Sequence, residues 1–364
     1  MAHWARRAGH IRPDSTERRV GILAGYGNTS YGDYFIGLGM ATAAFEAKLQ
    51  PVILGRDSKL EAFRSAGIEA HGLPDRDHGL RDFSAVASQL SGFILGGGGL
   101  FEDRVDATAS QTLAAGYAAR AVYAKNHGIP TIIYGVGVER EPFALQQTEK
   151  ILSQAFRGAS SVAVRDRDSV EACRRFGVEA QLVIDPATIF LNSVRPEPSI
   201  ESGTAGLIPF ARRAWPRMSN PSEVEHARQD ADWEIAAQRL AGYRRVIITP
   251  FHRSDLEYVD RIHNVLTSRV HKLEVEIADF TPENPGGVLG VLRKCEHILT
   301  MRYHGFMAAH FAGVPSIDVL GGSQKLRVTD ALNREGLLGD MWDASRASKQ
   351  IQSRLRQFDI YRSS

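Results

Sequence analysis

The sequence predicts two α/β domains in tandem, each a mostly parallel sheet with helices on both faces, and three observations carry that expectation. Short apolar runs alternate with amphipathic stretches from residue 20 onward. The runs are continuously apolar rather than alternating, as strands buried on both faces must be. A turn-rich segment at 192–199, with Pro196 and Pro198, divides the pattern into two similar halves.

In the first half, strands are expected at 20–24, 51–54, 91–95, 131–134, 161–164 and 180–184, the third stopping at Gly96–Gly99. Helical patterns lie between them, at 111–127 and 140–157 for example. The second half repeats the theme, with strands at 205–208, 246–249, 273–277, 297–300 and 316–319 and helices at 222–240 and 255–270. Strand, helix, strand in repetition builds a doubly wound domain. The expected organisation is a disordered tail at 1–19, one Rossmann-like domain at 20–195 and a second at 196–364, with the helical stretch at 344–362 packing back on the first. Two such domains face a cleft at the carboxyl ends of their strands, where open α/β sheets bind ligands.

Composition narrows the function classes. A formal charge of +2 over 364 residues gives no bulk field for nucleic acid or an anionic membrane, so any anion must be held by a local cluster. Cys173 and Cys295 are too few for a disulfide scaffold and lack metal-ligand spacing, and two free thiols fit a reducing cytoplasm. The opening residues are Arg-rich without an apolar core, unlike a secretory signal, and no apolar run is long enough for an integral membrane segment.

Four features sit where a strand gives way to a helix. Gly25–Asp33, with Gly27 and Asn28, is either a tight turn capped by Asp33 or a loop that lets backbone approach a ligand. Gly96–Gly99, followed by Glu102 and Asp103, suits a substrate passing over bare backbone at Gly97 and Gly98, with an acid accepting from a sugar hydroxyl; an Asp cap on the next helix is the plainer reading. Arg165 follows a strand directly. The Asp166-Arg167-Asp168 triplet beside it is read as helix capping, by Asp168 or Ser169, ahead of metal binding.

The fourth feature is the sharpest. A strand ends at Thr300, and Arg302-Tyr303-His304-Gly305 opens a small-residue helix that Gly313 closes. A helix amino end favours an anion, Arg offers a planar fork to carboxylate or phosphate, and His is suited to proton donation near neutral pH. Lys325, in a later loop at the same edge, adds a point charge.

Taken together, these motifs resemble the polysaccharide pyruvyl transferase family. The ordered matches are Gly27-Asn28 with Gly32-Asp33, Gly96 to Asp103, Gly135-Val136-Gly137, Val164-Arg165-Asp166 with Ser169, Asp185-Pro186-Ala187, Arg302-Tyr303-His304-Gly305 and Ala312 to Pro315. The resemblance implies a GT-B-like fold and transfer of a pyruvyl group from phosphoenolpyruvate to a glycan or lipid-linked glycan, with a cyclic ketal formed and phosphate released. It implies that Arg165 and Arg302 hold the donor's carboxylate and phosphate, that His304 is the general acid, and that Lys325 supplies the basic residue after the last strand. The second domain would be the donor side and the first the acceptor side, with no metal or redox cofactor required. Two other functions share the architecture: a GT-B glycosyltransferase using a nucleotide sugar, and a non-catalytic glycan- or phosphate-binding protein. The single Glu after His304, Glu335, counts against retaining glycosyltransferases with paired glutamates, and a proton donor in the pocket counts against simple binding.

Overall fold

The computed structural model describes residues 18–27, 30–55, 60–73, 80–102, 113–197, 199–211, 223–321, 324–335 and 338–360. Most of the expected tail, Asn28, Asp103 and the side chain of Lys325 lie outside the described residues. The chain divides into two units, one of Met1–Asn28, Asp33–Phe190 and Trp342–Ser364, the other of Thr29–Gly32 and Leu191–Met341.

The first unit holds β1 (Arg19–Leu23), β2 (Gln50–Gly55), β3 (Glu69–Gly72), β4 (Gly92–Phe101), β5 (Thr131–Val138), β6 (Ser161–Val164) and β7 (Gln181–Leu182). They form one parallel sheet in the order β3-β2-β1-β4-β5-β6-β7. The second unit holds β8 (Thr204–Ile208), β9 (Arg245–Ile248), β10 (Glu274–Ile277), β11 (His297–Thr300) and β12 (Ser316–Val319), parallel in the order β10-β9-β8-β11-β12. Every residue of β5, β8 and β11 is buried, which is why these strands carry no polar alternation.

Each sheet has its own core. In the first, Phe35 stacks on Phe190 with centroids 5.8 Å apart, and Ile22, Ile53, Phe93 and Ile133 are inaccessible to solvent or nearly so. In the second, Trp233, Val246, Ile248, Val259, Ile262 and Leu299 form a single cluster. Cys173 and Cys295 are buried, and burial pushes each thiol up to about 12, so both stay protonated as small hydrophobes.

The helix Ala344–Leu355 belongs to the first unit. Asp343 caps it, accepting from Arg346 N at 3.0 Å. Ser348 and Gln352 donate to Glu46, Gln350 accepts from Ile184 N at 3.1 Å, and Arg354 lies 5.3 Å over the Tyr134 ring.

Several strands differ from expectation: β3 is an additional strand, β5 runs on to Val138, β7 keeps only Gln181–Leu182, and β4 departs most. The third run does not stop at its glycines: β4 continues through them to Phe101, pairing Gly96 with Tyr134 and Gly98 with Val136 before a register shift. Close approach, not looping, explains the glycines. A Cβ on Gly96 would lie 2.0 Å from Tyr134 O, and one on Gly97, whose φ is 86°, would lie 2.0 Å from Ile36 Cγ2. Gly97→Ala therefore meets both backbone strain and overpacking, and is expected to lower stability by about 2–4 kcal/mol in chemical denaturation. A loss near zero would show that the site relaxes freely.

Candidate functional site

Each sheet has one place where the strand order reverses. β1 lies between β2 and β4, and β8 lies between β9 and β11, so connections leave in opposite directions and open a crevice at the carboxyl ends. The residues singled out in the sequence gather at these two places. Gly27, Asp33, Gly97, Gly98, Glu102 and Arg165 belong to the first unit, and Arg302, Tyr303, His304 and Gly305 to the second.

In the second unit, β11 ends at the buried Thr300. Its hydroxyl donates to Arg302 O and accepts from Arg302 N, both at 3.1 Å. That loop holds Arg302 in an extended conformation as the residue preceding the helix Tyr303–Phe311. Gly305 is buried, since a Cβ there would lie 2.8 Å from Ile208 Cγ2 and from Thr300 Oγ1; it lets the helix settle on the strand ends.

The Arg302 guanidinium is fixed on three sides. Its Nε donates to Pro209 O at 2.9 Å, its Nη2 donates to Asp255 Oδ1, and its plane lies 4.6 Å over the Phe210 ring. The side chain keeps 14% of its surface exposed, whereas that of Asp255 has none. Asp255 also accepts from Ala211 N at 3.2 Å, Phe251 N at 3.1 Å and His252 N at 3.0 Å. One carboxylate thus joins the segments that follow β8 and β9 to the residue that follows β11. A buried carboxylate is tolerable only with such a set of donors. Sequence reasoning missed Asp255 because Ser254-Asp255 ahead of an apolar helical pattern reads as an ordinary helix start.

Residues 30–32 complete this region of the second unit. Ser30 forms an antiparallel bridge with His252, Tyr31 N donates to Phe251 O at 3.1 Å, and the Tyr31 hydroxyl accepts from Thr281 N at 2.9 Å. Gly32 lies against the imidazole of His304, so close that a Cβ would sit 2.4 Å from Nδ1. Ser30, Gly32, Arg302, Tyr303 and His304, with the apolar Phe210, Phe251 and Met301, line a pocket of about 160 Å³. The amino end of the Tyr303–Phe311 helix lies at this pocket, adding partial positive charge.

In the first unit, the Asp33 carboxylate lies over the glycines that end β1 and line β4. Cβ atoms built on Gly98 and Gly25 would fall 3.5 and 3.8 Å from its oxygens. Neighbouring Tyr26 donates to Gly96 O at 3.2 Å, and burial, then the Asp33 charge, raises its phenol well above the ordinary range. Arg165 lies over Gly137 and Gly99, and Glu102 lies over Gly99, so bare backbone there accommodates two charged side chains. Arg165 Nε is 3.7 Å from Asp166 Oδ2. The cap of the helix Arg167–Arg174 is Asp166, accepting from Ser169 N at 2.8 Å, and not Asp168 or Ser169 as expected. The Ser169 hydroxyl instead accepts from Val138 N at 2.9 Å, tying that helix to β5. Gly27 has φ 89°, a left-handed turn after β1.

With this geometry in hand, comparison with known proteins gives consistent results. The family model described as polysaccharide pyruvyl transferase matches residues 31–323. No curated protein matches the sequence. Among solved structures, Anabaena HepE in complex with UDP-glucose is similar at a TM-score of 0.58 and 11% identity, covering 93% of this chain and 99% of that one. MnaA of S. aureus with UDP reaches 0.57 at 10% identity, covering 95% and 98%. A UDP-GlcNAc 2-epimerase from Methanocaldococcus jannaschii, in complex with UDP-GlcNAc and UDP, reaches 0.53 at 12% identity, covering 94% and 100%. At these identities the likeness is one of fold, and the fold is GT-B-like.

Asp255→Ala removes the acceptor shared by Arg302 and three backbone amides. It is expected to cost about 3–5 kcal/mol in urea unfolding, the range for breaking a buried ion pair from one side. A loss below about 1 kcal/mol would show that the strand ends hold without it.

Proposed function

We propose that this chain, which belongs to the polysaccharide pyruvyl transferase family, moves the pyruvyl group of phosphoenolpyruvate onto two hydroxyls of a glycan or lipid-linked glycan. The observation that carries this reading is the pairing of Arg302 and His304 on one small pocket at the amino end of a helix. A planar donor of N–H groups and a titratable ring, side by side, are what an anionic enol ester needs.

The proposed chemistry balances as follows. His304 gives a proton to the methylene carbon of the enol, which becomes a methyl group and leaves the adjacent carbon electrophilic. One sugar hydroxyl adds to that carbon, the carbon–oxygen bond to phosphate breaks, and a second hydroxyl closes the ketal. Of the two hydroxyl protons, one returns to the base form of His304 and one departs with phosphate. Arg302 has one N–H committed to Pro209 and one to Asp255, so its remaining donors can meet a carboxylate or phosphate oxygen. Because Asp255 offsets its charge, Arg302 contributes direction more than net charge. Arg165 and Lys325 are assigned to the donor's remaining anionic groups, as the family resemblance implies.

The three solved structures compared above hold UDP or UDP-sugars, so a nucleotide-sugar donor is the competing reading. Protection in a thermal melt separates the two, with phosphoenolpyruvate expected to raise the melting temperature and UDP-glucose to leave it unchanged. Turnover tests the acid: His304→Ala is expected to lower acceptor-dependent phosphate release by about 10²–10⁴-fold, the usual worth of general acid catalysis. Phosphoenolpyruvate binding, followed by calorimetry, should change little. Near-normal phosphate release by the variant would remove His304 from the chemistry.

A further inference from the structure

We propose that the solvent face of the helix Ala344–Leu355, extended by Arg18 and Lys48, is a docking surface for an anionic lipid bilayer. The inference does not depend on which donor the enzyme uses.

The helix is amphipathic in an unusual way. Ala347, Ile351 and Leu355 are buried, while Ser345, Arg346, Lys349, Ser353 and Arg356, the last at its carboxyl cap, are exposed. Spacings of three and seven residues, about one and two helical turns, place Arg346, Lys349 and Arg356 in one stripe. No Asp or Glu occurs between Ala344 and Arg356. A helix face that serves only solvation usually interleaves both signs. Of the neighbouring acids, Asp343 caps the helix and Glu46 accepts from Ser348 and Gln352.

The stripe continues beyond the helix. Arg356, Arg18 and Lys48 line a hollow of about 220 Å³ together with Glu46, Gln352 and Leu355. The sequence is cationic at both of the segments that supply Arg18 and Arg356 as well. Residues 1–19 hold five arginines against two acids, and residues 343–364 hold five cations against two acids. The two chain ends thus carry +6 of formal charge in a chain whose total is +2, so the remainder is net acidic. The exposed Arg346, Lys349, Arg356 and Lys48 form a face of one sign that is complementary to a lipid surface, where each Lys or Arg is worth about 1 kcal/mol near anionic headgroups. Duplex nucleic acid is the weaker fit: phosphates tracked along a groove call for a concave basic channel, whereas Arg346 and Lys349 lie along the outer side of a helix and no aromatic residue occurs between Ala344 and Arg356 for base stacking.

Vesicle flotation of the full-length protein tests the proposal. Binding is expected to vesicles containing about 30% phosphatidylglycerol at roughly 50 mM salt, not to pure phosphatidylcholine, and binding should fall several-fold at about 300 mM salt. The triple variant Arg346→Glu, Lys349→Glu, Arg356→Glu should partition at least about 100-fold more weakly. Its melting temperature should match the parent's. Should that variant unfold, the same three positions changed to Gln, with an unaltered melt, are expected to weaken partitioning about 100-fold. The proposal is overturned if the parent protein ignores anionic vesicles, if either folded variant floats like the parent, or if a duplex oligonucleotide binds more tightly than the vesicles.

Discussion

The second unit is organised around a single buried carboxylate. Asp255 is surrounded by backbone amides from Ala211, Phe251 and His252 and by the guanidinium of Arg302. Those groups come from the segments beyond three adjacent strands, β9, β8 and β11, at the reversal of strand order. Removing any donor would leave the charge under-compensated in a medium that solvates it poorly, so the three segments hold one another in place. The orientation of Arg302, and with it the turn that presents His304, follows from that constraint. A site whose supporting contacts are buried and mutually dependent is rigid before any ligand arrives.

The first unit solves a different problem, bringing charged side chains close to backbone. Asp33 sits over Gly25 and Gly98, and Arg165 and Glu102 share the space over Gly99. A side chain at Gly99 would occupy the place Glu102 takes. The run of four glycines is therefore a strand made thin, with Gly97 also fitting against Ile36 and Gly96 against the Tyr134 carbonyl.

How much of this was legible from residues alone depends on the range of the interaction. Continuous apolar runs such as Ile22-Leu23 and Ile247-Ile248 revealed the strands because burial on both faces removes polar alternation. The turn at Arg302-Tyr303-His304 was legible because strand end, helix start and chemistry fall within a few residues. Asp255 was not, since its partners lie 44 and 47 residues away at Ala211 and Arg302, and nothing local distinguishes it from a helix cap. The extent of β4 was misjudged for the same kind of reason: Gly usually punctuates, and only the facing backbone of β5 shows why it continues. Asp166 took the cap expected at Asp168 or Ser169 because the Ser169 hydroxyl is used by Val138 N.

The chain thus has the fold of enzymes crystallised with UDP-sugars and the motifs of a family that transfers pyruvyl groups, and fold alone does not choose the chemistry. The choice rests on a proton delivered to carbon, a step that nucleotide-sugar transfer lacks. Mass spectrometry of the product formed in D₂O from phosphoenolpyruvate and an accepted glycan tests that step most directly. The account predicts a pyruvate ketal carrying one deuterium in its methyl group. A ketal free of deuterium, or glycosyl transfer from a nucleotide sugar in its place, would contradict it.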